Sequence, residues 1–132
     1  MPLFESGKRW AVKPRLGATE CNEYQLQKRG SVQMAKFALL VELKAKPGKE
    51  SEVEAFLEKE ASLVRKEPGT LSWHAAKIEG EPGVYRVFDT FYTEEARDAH
   101  LNGEAGQELV DKADELFSPA PKVSKLQIVA QK

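Results

Sequence analysis

Val84–Leu101 reads VYRVFDTFYTEEARDAHL, and its pattern changes in the middle. From Val84 to Tyr92 it is built of β-branched and aromatic residues with only Arg86 and Asp89 charged, which is the composition of a strand. Thr93 is a good helix cap, and Glu94 and Glu95 follow in the first turn, where the helix dipole favours acids. The helix is expected to run to about Leu101 and to break at Asn102-Gly103.

Upstream, Leu71–Ile78 is a second extended segment, joined to the first by Glu79-Gly-Glu-Pro-Gly83, a hairpin loop by composition. Further back, Phe37–Lys46 passes from an apolar run into alternation and stops at Pro47-Gly48. From Lys49 the apolar residues Val53, Phe56, Leu57, Ala61 and Val64 recur at helical spacing until Glu67-Pro68-Gly69. Downstream of Gly103 a second helical piece carries Leu109, Val110, Ala113, Leu116 and Phe117 on one face and ends at Pro119 and Pro121. Val123–Ala130 then supplies the last strand. The order strand, helix, strand, strand, helix, strand is the split βαβ arrangement. It predicts an α+β, ferredoxin-like βαββαβ domain over residues 34–132, with a four-stranded antiparallel sheet.

Neighbouring strand residues point to opposite faces of a sheet. Leu39 and Val41 therefore oppose Ala38 and Leu40, and Tyr85, Val87 and Phe91 oppose Val84, Phe88 and Tyr92. Both faces read as apolar, yet two helices cover only one. Leaving the other wet would forgo several kcal/mol at roughly 25 cal/mol per Å². A second copy packed sheet against sheet is the simplest cover, so a homodimer is expected.

Residues 1–33 show no sustained period, and Pro2, Gly7, Pro14, Gly17 and Gly30 interrupt any that begins. They read as an N-terminal extension outside the core, with six basic against three acidic residues. The remainder holds fourteen basic and eighteen acidic residues, a balance that argues against nucleic acid. The single cysteine, Cys21, permits neither an internal disulfide nor a cysteine metal cluster. No apolar run reaches the roughly 18 residues of a membrane span, and no secretory signal is evident, so a cytoplasmic protein without a membrane partner is expected.

Three motifs taken in order resemble the antibiotic biosynthesis monooxygenase family of dimeric α/β-barrel proteins. They are Lys46-Pro-Gly48 after the first strand, Glu67-Pro-Gly-Thr70 after the first helix, and Phe88–Leu101 with its Asp89, Phe91 and closing Ala99-His-Leu101. The resemblance implies oxygenation of a small electron-rich aromatic, of quinol or anthrone type, without metal, flavin or haem. The protein's part would be to bind a flat apolar ring, remove a proton and steady the oxyanion. Haem-degrading relatives are associated with an asparagine on the first strand and a tryptophan ending the third. Val41 and Phe91 stand there in this sequence, so haem is not expected.

The candidate catalytic residues are His100, Asp89 and His74. His100 shares a helix face with the small Ala96; its ordinary pKa near 6.5 suits a general base, and the competing reading is a structural hydrogen bond that fixes the helix to the strand. His74 and its neighbour Trp73 must point to opposite sheet faces. Asp89 shares a face with Tyr85, Val87 and Phe91, where a carboxylate needs a partner, with Arg86 and Arg97 as candidates, or a raised pKa. Tyr85, Phe88, Phe91 and Tyr92 are candidates for a ring-binding wall, against core packing as the commoner role of strand aromatics, Trp73 for a pocket or the dimer interface, and Arg86 for an oxyanion contact or an interface ion pair. Two histidines without ligand spacing make no metal site. A cofactor-independent monooxygenase, a non-catalytic ligand-binding or stress-associated dimer, and an isomerase or lyase acting on a small carbonyl compound all remain open.

Overall fold

The structure is a computed structural model that describes residues 34–132 and, before them, the backbone of two short paired strands, β1 (Leu3–Glu5) and β2 (Lys8–Trp10). The chain divides into Met1–Met34 and Ala35–Lys132. Cys21 and the interpretation of residues 1–33 as an extension lie outside the described residues.

In the second unit β3 (Phe37–Lys44) is followed by α1 (Glu50–Val64), β4 (Thr70–Lys77), β5 (Val84–Phe91), α2 (Glu94–Leu101), α3 (Glu104–Leu116) and β6 (Lys122–Gln127). The strands form one antiparallel sheet in the order β4-β5-β3-β6. This is the expected ferredoxin-like sheet, with the second helical region split into two helices. The split follows from Gly103 and Gly106. A Cβ at Gly106 would lie 2.2 Å from the carbonyl oxygen of Leu101, so only glycine lets α3 fold back against the end of α2.

Local chemistry places the ends of these elements. Thr93 caps α2 by accepting the backbone N–H of Ala96 at 3.1 Å. Gly80 and Gly83 take the positive φ that the β4–β5 hairpin requires. Leu39, Val41 and Leu43 of β3 and Tyr85, Val87, Asp89 and Phe91 of β5 are all buried on the inner face, as alternation predicts. Val53, Phe56 and Leu57 of α1 close over them, with Phe56 set edge-on to Phe117.

Two expectations need correction. Val110 is 69% exposed; Leu109, Ala113 and Leu116 lie three or four residues apart on the packed side, and Val110 is turned some 100° from Leu109. The last strand stops at Gln127 rather than Ala130, and Val129 is fully in solvent. The outer face is also less apolar than parity alone suggested. Its central row is His74, Phe88, Leu40 and Ser124, and the next is Ala76, Arg86, Glu42 and Lys122.

Candidate active site

Between the inner sheet face and the helices lies an enclosed cavity of about 40 Å³, room for roughly three waters. Leu39, Val41, Leu57, Trp73 and Leu109 make most of its wall apolar. Three titratable groups also reach it, namely Glu60 from α1, Asp89 from β5 and His100 from α2.

Each of these side chains is held by its element. Asp89 is carried inward by the parity of β5 and is only 1% exposed. His100 lies at the end of α2, its ring tilted 5.4 Å from that of Phe91. Its Nδ1 is 2.7 Å from Glu67 Oε1, and the same oxygen accepts the Thr70 hydroxyl at 2.8 Å. The approach of α2 to this loop depends on Gly69, because a Cβ there would come within 2.9 Å of the Ala96 Cβ. On the other side of the ring, Nε2 is 3.0 Å from Asp89 Oδ2. That contact is not well aligned, and among the described residues neither Asp89 oxygen receives a directed hydrogen bond. Asp89 therefore acts on the imidazole as a nearby charge.

Each ring nitrogen lies within about hydrogen-bond distance of a carboxylate, Nδ1 of Glu67 and Nε2 of Asp89, so the surroundings favour the imidazolium with a proton on both. Burial works to lower the His100 pKa, but the Asp89 and Glu67 carboxylates outweigh it and the net shift is upward. The imidazole is thus a strengthened base held in one orientation by its two carboxylate neighbours. Glu60 is 6% exposed and its Oε2 has no protein partner among the described residues. Burial pushes its pKa up to about 8, aided by the charges of Glu108 and Glu67 and opposed by His100 and Lys59.

The structure brings His100, Asp89 and Trp73 to one cavity, with Phe91 packed behind the imidazole. It does not bring the other candidates there. His74 pairs with Phe88 on the outer face and is exposed, while Tyr92, just beyond β5, is 38% exposed. Arg86 is on that outer face too, 3.6 Å from Glu42 and donating to the Tyr85 carbonyl, so it meets neither Asp89 nor the cavity. Arg97 bonds the carbonyls of Ala38 and Leu126 instead of Asp89. Tyr85 donates to Glu54 at 2.9 Å, and burial together with that carboxylate pushes its pKa up to about 12. It lines an open groove of about 290 Å³ between α1 and β4. Leu57 and Trp73 line both groove and cavity, and so form the partition between them.

Sequence reading missed Glu60 and the role of Glu67. Glu60 was legible, since it falls four residues from both Phe56 and Val64, on the apolar stripe of α1. Glu67 gave no signal beyond its place in the Glu-Pro-Gly turn.

Among curated proteins none matches the chain significantly. Solved structures do. A Nitrosomonas europaea protein of unknown function is 40% identical with a TM-score of 0.71, over 76% of this chain and 95% of that one. A Caulobacter crescentus protein provisionally named an antibiotic biosynthesis monooxygenase is 22% identical with a TM-score of 0.65, over 79% and 99% of the two chains. A Mycobacterium tuberculosis protein is 18% identical with a TM-score of 0.67, over 74% and 98%. The family model described as antibiotic biosynthesis monooxygenase matches residues 36–112, and the chain therefore belongs to that family.

Proposed function

We propose that this protein is a monooxygenase that oxidises a small electron-rich aromatic of quinol or anthrone type without a cofactor. The observation that carries the reading is the buried imidazole of His100, held by Glu67 at Nδ1 and strengthened by Asp89 beside Nε2, at a cavity whose remaining wall is apolar apart from Glu60. In this reading Nε2 takes a proton from the substrate, and Asp89 stabilises the imidazolium that forms. The substrate anion gives electrons to dioxygen and one oxygen atom becomes bonded to carbon. For an anthrone-type methylene the balance is CH2 plus O2 giving C=O plus water. The apolar wall keeps bulk water from the anion.

A ring needs more room than the enclosed cavity, since benzene occupies cavities of about 150 Å³. The groove supplies that space on the far side of Trp73 and Leu57, so the ring enters from there as these side chains swing aside. The homodimer we propose forms through the outer sheet face, with Leu40 and Phe88 at its centre.

The small enclosed volume favours one second reading, isomerisation or lysis of a small carbonyl compound, which needs a base and no oxygen. Oxygen uptake by the metal-free, flavin-free protein with a panel of hydroquinones, naphthoquinols and anthrones, corrected for autoxidation, separates the two. Saturable uptake supports oxygenation. Anaerobic exchange of substrate C–H for deuterium, with no uptake above autoxidation, replaces it with the isomerase.

A further inference from the structure

We propose that Glu60 is the proton donor of this site, working opposite His100 and aimed at an oxygen atom of the molecule bound in the cavity. The proposal deepens the monooxygenase reading and rests on it for the reaction. Its observational basis is separate. Glu60 is 6% exposed, lines the same cavity as His100 and Asp89, and has a carboxyl oxygen, Oε2, without a protein partner among the described residues. A buried polar atom left unpaired is costly, and a polar atom of a bound molecule that paired with it would relieve that cost. An ionised Glu60 would be costlier still, because three other carboxylates face the same region. They are Asp89 on β5, Glu67 in the loop after α1 and Glu108 on α3. Against them stand His100 on α2 and Lys59 on α1, and Lys59 is drawn outward to Glu108 at 3.1 Å. Holding a proton resolves the excess of negative charge. The cavity lining then holds two chemically different groups, a base at His100 and an acid at Glu60.

Oxygenation needs both. After the carbanion has added to dioxygen, the carbon carries a peroxide anion and one remaining hydrogen. Breaking the O–O bond releases hydroxide as the second C–H proton is removed and the C=O bond forms. One proton taken up at the peroxide and one at the departing oxygen complete a molecule of water, matching the two protons lost from carbon. Glu60 delivers a proton to the distal peroxide oxygen and is recharged from the imidazolium of His100. No outside reductant is required, since the methylene supplies both electron pairs.

The test reads the carboxyl group directly. In infrared difference spectra the full-length protein at pH 6 is expected to show the carbonyl stretch of a protonated buried carboxyl, and Glu60→Gln to lack it. Adding anthraquinone-2-sulfonate, a quinone with no free enone position for thiols or amines to attack, should shift that band to lower frequency as the carboxyl donates to the quinone oxygen. Absence of the band in the wild type, its persistence in Glu60→Gln, or no shift with saturating quinone would each overturn the proposal. In turnover, Glu60→Gln should lower kcat by roughly 10² or more and abolish the alkaline limb of the rate profile. An unchanged limb or an unchanged kcat would also overturn it. Lack of oxygen uptake with every panel compound would instead sink the monooxygenase reading, and the infrared results would still decide for or against the donor.

Discussion

Replacing Glu60 with glutamine keeps the shape of a protonated carboxyl and removes the possibility of ionisation, so its effect on stability should depend on pH. In the folded protein Glu60 titrates at about 8, against 4.5 for an unperturbed glutamate, so between these values the folded state holds a proton that the unfolded state has released. Stability contributed by this proton is complete below pH 4.5 and falls as pH rises towards 8. At about 1.4 kcal/mol per pH unit, the loss amounts to about 5 kcal/mol over the whole window, and relaxation of the site will reduce it to about 3. Either figure is a large part of a small domain's total stability, about 5 to 15 kcal/mol. His100 has a raised pKa and acts in the same direction, its share being present below 6.5 and lost as pH passes its folded value. That share is common to both proteins and largely cancels between them. Urea unfolding of wild type and Glu60→Gln at intervals from pH 4.5 to 9 measures the difference. The two curves should nearly coincide at pH 4.5 and separate by several kcal/mol above pH 8, with the variant the more stable. A difference that stays constant across the range would refute the assignment of Glu60 as a buried, proton-bearing group.

The other predictions concern neighbouring parts of the account. His100→Ala should lower kcat by roughly 10² to 10⁴ in steady-state assays while the circular dichroism spectrum is kept. Gly69→Ala forces a 2.9 Å contact on Ala96 and should cost about 1 to 3 kcal/mol in denaturant unfolding, with activity reduced because Glu67 is displaced from His100. Sedimentation at micromolar concentration should give a dimer, and Phe88→Asp should convert it to monomer; a wild-type monomer would remove the sheet-against-sheet interface.

The sheet and its helices were legible in the sequence because burial enforces period. Leu39, Val41 and Leu43, then Tyr85, Val87 and Phe91, alternate as one inner face, and Thr93 with its two glutamates marks the start of α2. The split between α2 and α3 was readable at Asn102-Gly103, but the wrong face of Val110 was not, since an apolar residue on a surface helix carries no mark of its exposure. His100 and Asp89 were singled out as a histidine on a helix and a carboxylate on an apolar strand face. Their meeting could not be read, because it depends on how far α2 slides along β5, which the close contact of Gly69 with Ala96 decides. The partners proposed for Asp89 were arginines, yet both arginines satisfy carbonyls elsewhere. Glu60 was hidden by company, one of many glutamates on α1, and only its position on the apolar stripe distinguished it.

The central claim is that the cavity carries out oxygenation with His100 as base, and labelled dioxygen tests it most directly. Turnover of the best panel substrate under ¹⁸O₂ by the metal-free and flavin-free protein should place one labelled atom in the product, and His100→Ala should reduce that labelled product to the autoxidation level. Product that forms equally well without oxygen, or that carries no label above the uncatalysed control, would contradict it.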